Sequence, residues 1–153
     1  MRAQAREESV DIAASPEAVF DLIHDYSRRL EWDPFLKEAR LLDADRAALG
    51  VTCRCVARNS LGGLAMEAEY ISFDRPHVAA VKMIKGPFML RSFAATLRQE
   101  GINDNRTRVT YRYNFETRPK LLRPLMDIIC RWVFSSEVRN RLKHLKRFLE
   151  REH

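Results

Sequence analysis

Two tyrosines lie two residues apart in a strand-like segment near the end of the chain, residues 108–116. Residues in this segment alternate between apolar and polar, and the apolar set is Val109, Tyr111, Tyr113 and Phe115. A period of two places all four on one face of a strand. A phenol hydroxyl on such a face can donate a hydrogen bond to an oxygen of a bound molecule. Tyr111 and Tyr113 are therefore the first polar candidates for ligand recognition.

Groups that could move protons are scarce on this face. The histidines lie at a helix end, beside a turn and in a basic tail, at His24, His77, His144 and His153. Glu31 and Asp33 are conceivable general bases near an expected cavity mouth, but we expect a helix-end or surface role for both. The sequence contains no nucleophile–base pair, phosphate-binding loop or metal-ligand spacing. It therefore predicts no metal and no cofactor, and it leaves any catalytic residue unidentified.

The cysteines are Cys53, Cys55 and Cys130, and an odd number argues against a disulfide framework. Cys53 and Cys55 lie two residues apart in an expected strand, which puts their Cα atoms about 6.5–7 Å apart on one face. That separation is at or beyond the limit for an undistorted disulfide. A metal site would need further ligands, and none lies close in sequence. We expect three buried free thiols.

The elements that must position these residues follow from periodicity and turn signals. After a first strand over residues 7–14, Ser15-Pro16-Glu17 predicts a helix start. A second short helix, or paired turns, is expected before Pro34. Six further strands are expected over residues 36–42, 51–59, 64–73, 78–84, 88–99 and 108–116. Tight turns between them would make consecutive strands antiparallel neighbours.

The last third of the chain predicts one long helix over residues 121–150. Its apolar residues recur with helical spacing, at Leu121, Leu125, Ile128, Ile129, Trp132, Val133, Leu142, Leu145 and Leu149. We interpret them as one stripe packed on the sheet, so that Trp132→Ala would lower the free energy of unfolding by about 3–5 kcal/mol. The expected fold is α+β: a curved antiparallel sheet of about six or seven strands wrapped around a C-terminal helix, with two short helices after the first strand.

Composition and charge narrow the classes of function. The 153 residues, 46% of them hydrophobic, suffice for one domain, and no apolar run approaches the roughly 20 residues of a membrane span.

The formal net charge is +6, and the segment from Arg139 to His153 carries six basic and two acidic residues. This tail could contact nucleic acid, an anionic surface or an acidic partner, but a solvated helix face is favoured. We expect no specific nucleic-acid binding. The N-terminus lacks the apolar core of a signal peptide, so we expect a cytoplasmic protein.

Two stretches of the chain resemble a known family. They are residues 10–23, which read VDIAASPEAVFDLI, and residues 26–35, which read YSRRLEWDPF. With the order of elements, they resemble the START-like, helix-grip (SRPBCC) superfamily, and within it the polyketide cyclase/dehydrase-like and lipid-transport-like branch. The resemblance covers nearly the whole chain and implies a single ligand-binding domain over residues 1–153. Its members enclose a deep cavity between sheet and long helix. Some bind lipids, quinones, hormones or polyketides, and some catalyse cyclisation or dehydration. The family has no shared catalytic motif to carry over.

The cavity that this resemblance implies would be lined by the inward-facing residues. The expected lining residues are Trp32, Phe35, Met66, Tyr70, Phe93, Tyr111, Tyr113, Phe115, Met126, Ile129, Cys130 and Val133. Aromatic and methionine side chains with a few hydroxyls suit a flat apolar ligand, although a solidly packed core would show the same pattern. We expect a carrier or sensor of a lipid, quinone, aromatic or polyketide-like molecule. The alternatives are a cofactor-free cyclase or dehydratase, and an interaction protein that docks through its basic C-terminal helix. Both a monomer and a homodimer fit the sequence.

Overall fold

The computed structural model describes residues 5–152. In chain order the elements are β1 (Arg6–Ile12), α1 (Pro16–Ile23), α2 (Arg29–Trp32), β2 (Leu36–Leu41), β3 (Thr52–Ala57), β4 (Ala65–Asp74), β5 (Val78–Lys85), β6 (Leu90–Asn103), β7 (Arg106–Thr117) and α3 (Arg123–Glu152), with short 3₁₀ turns at Asn59–Leu61 and Lys120–Leu122. This is the predicted order of strands and helices. Among the described residues, no helix is both long enough and apolar enough to cross a bilayer.

The seven strands form one antiparallel sheet in the order β1-β7-β6-β5-β4-β3-β2. From β2 to β7 each strand pairs with the next one along the chain, and β1 adds to the far edge by pairing with β7. Register shifts between β2 and β3, between β4 and β5, and between β6 and β7 mark β-bulges, which bend strands and increase their twist. The sheet curls around the helix, which confirms the predicted helix-grip architecture.

The first helix begins where its capping residues predict. The Ser15 side chain accepts a hydrogen bond from the Ala18 amide at 3.2 Å, Pro16 is the first helical residue, and Glu17 lies in the first turn, where the helix dipole favours an acid. Helix α1 packs on β6 and β7, and α2 lies against β2 and α3. The two short helices therefore close one end of the curled sheet.

Only the second half of α3 is a buried helix. Val138, Leu142, Leu145 and Leu149 are each at most 4% exposed, and they recur every three or four residues, as one helix face requires. Cys130 and Phe134 continue the same inward row toward the N-terminus of the helix. This row packs on β1 and β7.

The prediction that Trp132 is buried is wrong: this side chain is 76% exposed. Trp132 lies two residues from both Cys130 and Phe134, and two residues correspond to about 200° around a helix. It therefore points away from the sheet. The single predicted stripe in fact combines two faces, since Leu121, Leu125 and Ile128 are also exposed.

The basic C-terminal segment is only partly a solvated face. Arg139 forms an ion pair with Glu8 at 3.1 Å, and Lys146 bonds to Glu150 and to the Asp11 carbonyl. Arg141 points into the interior, and only 12% of its side chain is exposed. Lys143, Arg147 and Arg151 remain as exposed cations.

Candidate functional site

A cavity of about 320 Å³ lies between the inner face of the sheet and the first half of α3. Most of its walls are apolar side chains. The sheet contributes small residues from β3 and β4, namely Cys53, Cys55, Ala57 and Ala68, beside larger ones from β5, β6 and β7. Because the inner face of β3 and the neighbouring Ala68 position of β4 carry such small side chains, space remains between them and the helix. The volume is at the lower end of that found for small-molecule sites.

Eight of the twelve predicted lining residues border this cavity. They are Phe35, Met66, Phe93, Tyr111, Met126, Ile129, Cys130 and Val133. One of them lies in the connection between α2 and β2. The other seven come from four elements, β4, β6, β7 and α3. Their shared inward orientation follows from the alternation of the strands and the phase of α3.

The other four predicted residues lie elsewhere in the interior. Tyr113 and Phe115 pack against Phe134, with ring centres 6.0 and 5.2 Å away. Phe134 therefore stands between them and the cavity. Trp32 is buried on the far side of Arg29, whose guanidinium lies 5.2 Å from the indole ring centre. Tyr70 belongs to a separate cluster with Phe20 and Ala79.

One end of the cavity is built on a buried carboxylate, Asp33. Its Oδ2 accepts bonds from Arg29 Nε at 2.9 Å and from Arg141 Nε and Nη2 at 3.1 and 2.9 Å, and its Oδ1 accepts the Phe35 amide at 3.1 Å. Asp33 lies at the C-terminal end of α2, as expected, but its side chain is fully buried, so the alternative of a surface role is wrong. Burial alone would raise the Asp33 pKa, but the charges of Arg141 and Arg29 hold it below its usual value.

The positive charge of the two arginines is only half neutralised by the single carboxylate between them. Arg29 and Arg141 both border the cavity, and Asp33 does not. Arg29 also donates to the Ile23 carbonyl at 3.2 Å. The guanidinium of Arg141 lies over the Phe35 ring at 5.1 Å and donates through Nη1 to the Tyr111 hydroxyl at 3.3 Å. This trio of charged groups carries one net positive charge at one end of a mostly apolar cavity.

A further carboxylate on the cavity wall is already paired. Arg58 donates to both oxygens of Glu137, at 2.9 and 2.5 Å. The same guanidinium donates to the Pro34 carbonyl at 3.0 Å. This bidentate pair adds no net charge to the cavity. The excess positive charge at Arg141 and Arg29 is therefore not cancelled from this side.

A chain of three polar rings runs from the cavity into the core. Tyr26 borders the cavity, its hydroxyl lies 3.0 Å from that of Tyr70, and the Tyr70 hydroxyl lies 2.8 Å from His24 Nδ1. Burial lowers the His24 pKa to about 3, and nearby Arg29 contributes in the same direction. The ring is therefore neutral near pH 7. His24 ends α1, as predicted, but it is buried and hydrogen-bonded, which corrects the expectation that no histidine lies deep in the interior.

The three cysteines are free thiols, as expected. Cys53 and Cys130 are buried, Cys55 is partly buried, and all three border the cavity. Hydrogen bonds from Cys55 and Tyr26 and the nearby charge of Arg29 lower the Cys53 pKa, whereas the Cys55 pKa is raised. Within residues 5–152, no three His, Cys, Asp or Glu side chains are grouped as a metal site would require.

A family profile described as "polyketide cyclase/dehydrase and lipid transport" matches residues 4–150. The chain belongs to this family. The search of curated protein sequences found no match to this chain.

Solved structures with the same fold are distant in sequence. The Zhui aromatase/cyclase from a Streptomyces species superposes with a TM-score of 0.86 at 16% identity, over 98% of this chain and 95% of that one. A START superfamily protein from Mycobacterium smegmatis gives 0.80 at 12% identity, over 97% and 99%. Major latex-like protein 151 from ginseng, Panax ginseng, gives 0.75 at 9% identity, over 96% and 97%. Similarity at this level shows the START-like fold alone.

Sequence reasoning missed the charged residues of this family member's cavity. Glu137 and Arg141 follow Cys130, Val133 and Phe134 with helical spacing, so the phase of α3 already placed them on the inward row. The cluster of basic residues from Arg139 onward instead suggests a solvent-exposed tail for Arg141. Arg29 carried no comparable signal, because α2 is only four residues long.

Proposed function

We propose that the protein carries or senses an apolar small molecule that bears one acidic or hydrogen-bond-accepting oxygen. The apolar body would lie along the walls formed by β3, β4 and the first half of α3. The oxygen would face Arg141 and Tyr111. What supports the proposal is a cavity of small-molecule size whose single polar end has an excess of positive charge.

The chemistry of this end favours an anion or a strongly polarised oxygen. Arg141 donates two hydrogen bonds to Asp33 and one to Tyr111, and Asp33 also accepts from Arg29. A guanidinium has five N–H donors, so capacity remains for a ligand. The Tyr111 hydroxyl accepts from Arg141 and so keeps its own proton available to donate. A carboxylate, phenolate or ring ketone would satisfy both groups.

The experiment uses 1-anilinonaphthalene-8-sulfonate, a flat aromatic anion whose fluorescence rises on apolar binding. The wild-type chain should bind it saturably. Ala68→Phe places a ring in the cavity and should weaken binding by about tenfold or more, which is about 1.4 kcal/mol. Ala94→Phe is the matched control, since Ala94 faces away from the cavity, between the inward Phe93 and Ala95.

The result must be read on folded protein, so circular dichroism and melting temperature accompany each titration. Retained binding in Ala94→Phe with loss in Ala68→Phe supports the proposal. Equal binding by folded Ala68→Phe and wild type, or no saturable binding by the wild-type chain, contradicts it.

A specific observation also favours a second function, a cofactor-free cyclase or dehydratase acting on a polyketide-like substrate. With His24 as the Nδ1–H tautomer, His24 donates to Tyr70 and Tyr70 donates to Tyr26, which leaves the Tyr26 proton free for a substrate ketone oxygen. Tyr26→Phe should then leave binding of a polyketide-like ligand within about threefold while turnover falls by about 10²–10⁴-fold. Absence of any turnover by the wild-type chain on a poly-β-ketone would leave the carrier function as the better account.

A further inference from the structure

An apolar surface remains uncovered on the first half of α3 and the turn that precedes it. We call it the apolar face, and its residues are Leu121, Leu122, Leu125, Ile128 and Trp132, with Phe88 beside them. Leu121, Trp132 and Phe88 are 94%, 76% and 72% exposed. Large side chains exposed together in this way mark an interaction surface more often than scattered ones do.

Phe88 is held at the start of this helix by one arginine. Arg118 donates through Nε to the Phe88 carbonyl at 2.6 Å, and its guanidinium lies over the Phe88 ring, 5.3 Å from the ring centre. The Arg118 amide also donates to the Met89 carbonyl at 3.0 Å. These contacts join the β5–β6 turn to the segment leading into α3, with the Arg118 cation beside the exposed Phe88 ring.

The surroundings of the apolar face are strongly basic. The two segments that carry it, residues 82–91 and 116–132, contain seven basic and two acidic residues. The basic residues are Lys82, Lys85, Arg91, Arg118, Lys120, Arg123 and Arg131. Both acids already have partners: Glu116 lies 4.0 and 3.7 Å from Arg91 and Arg123, and Asp127 accepts a hydrogen bond from Thr117.

We propose that the apolar face docks on an anionic lipid surface. Leucine, isoleucine and aromatic side chains flanked by lysine and arginine are the composition that inserts into the boundary between headgroups and acyl chains, and basic residues add attraction to anionic lipid. The charges disfavour a second copy of this chain as the occupant. A two-fold contact would bring the same cations of both copies together.

The cavity opens beside this surface. Ile129 borders the cavity and is 46% exposed, and it neighbours Ile128 of the apolar face. Pro87 and Met89, on either side of Phe88, also border the cavity. A protein docked through the apolar face would hold its cavity mouth at the lipid boundary, where an apolar molecule could pass without crossing water.

The test measures cosedimentation of the full chain with vesicles of phosphatidylcholine alone and of phosphatidylcholine with about 30% phosphatidylglycerol, at low and at physiological salt. Wild type should bind the anionic vesicles at least about tenfold more tightly than the neutral ones, and salt should weaken that binding. Ile128→Glu should reduce it by about tenfold or more. Leu49→Glu is the matched control. Leu49 is 67% exposed in the loop between β2 and β3, outside the apolar face, and the substitution makes the same change in net charge.

Two further readouts separate the possible outcomes. Brominated acyl chains should quench tryptophan emission in wild type and not in Trp132→Phe, because Trp32 is buried. Binding of 1-anilinonaphthalene-8-sulfonate should be unchanged in Ile128→Glu, so the docking proposal can fail while the cavity proposal stands. No preference for anionic vesicles, an equal loss in Leu49→Glu, or a wild-type dimer that Ile128→Glu dissociates would each overturn membrane docking.

Discussion

Asp33 is the residue whose removal should disturb the site most. It is fully buried between Arg29 and Arg141, and Asp33→Asn leaves the two guanidinium charges facing each other without a counterion. Breaking such a buried pair costs about 3–5 kcal/mol. Asp21→Asn is the control: the Asp21–Arg75 pair is about half exposed, and exposed pairs contribute about 0–1 kcal/mol.

Urea denaturation at two pH values checks this account of Asp33. Because the folded-state pKa of Asp33 is held below 3.8, its charge stabilises the fold above the unfolded pKa. That contribution is lost as pH falls through the folded pKa. The difference between wild type and Asp33→Asn should therefore be larger at pH 7 than at pH 3. A difference below 1 kcal/mol at pH 7 would show that the arginines do not depend on this carboxylate.

His24 should give the stability a second pH dependence of the same sign, which begins at higher pH than that of Asp33. Its folded pKa is lowered from 6.5 to about 3, so below pH 6.5 only the unfolded chain takes up the proton. The wild-type free energy of unfolding should fall with decreasing pH, by up to about 1.4 kcal/mol per pH unit. His24→Gln should lack that contribution, which is measured as the difference in slope between pH 7 and 5.5. Parallel slopes would mean that the ring titrates in the fold as it does in the unfolded chain, and would contradict the buried neutral ring.

At the scale of elements, the second half of α3 is firmly packed on the sheet, whereas the first half has one inward row and one exposed apolar face. Trp132→Ala should change the free energy of unfolding by less than about 0.5 kcal/mol, as substitutions on an exposed surface do. Leu145→Ala, on the same helix but 1% exposed, should cost about 2–5 kcal/mol. Thermal and urea unfolding of the two variants measures the contrast. A large loss in Trp132→Ala would restore the single-stripe interpretation.

The strands were predictable because alternation is a local signal. In β7, Val109, Tyr111 and Tyr113 are all at most 7% exposed, as their period of two indicates, and the turns fixed the order of pairing. Which face of α3 packs on the sheet was harder to predict. Apolar residues on two adjacent faces of one helix satisfy the same spacing rule, and only the position of the sheet decides which face is buried.

At the scale of the whole molecule, the cavity depends on distances that periodicity does not contain. A row of inward residues predicts a core and a cavity equally well. The sequence signal that separates them here is size: Cys53, Cys55, Ala57 and Ala68 are small residues on neighbouring inner positions of β3 and β4. Long-range pairs such as Asp33 with Arg141, 108 residues apart, follow only from the assembled fold.

The most direct test of the central claim is an NMR titration of the chain labelled with ¹³C at its methionine methyl groups. Met66, Met89 and Met126 border the cavity from the sheet, the β5–β6 turn and the helix. On addition of 1-anilinonaphthalene-8-sulfonate, the ring current of the bound aromatic should shift all three signals saturably, and Ala68→Phe should abolish the shifts. Each signal is assigned with its Met→Leu variant. Saturable fluorescence with all three methionine signals unmoved would place the ligand elsewhere and contradict the account.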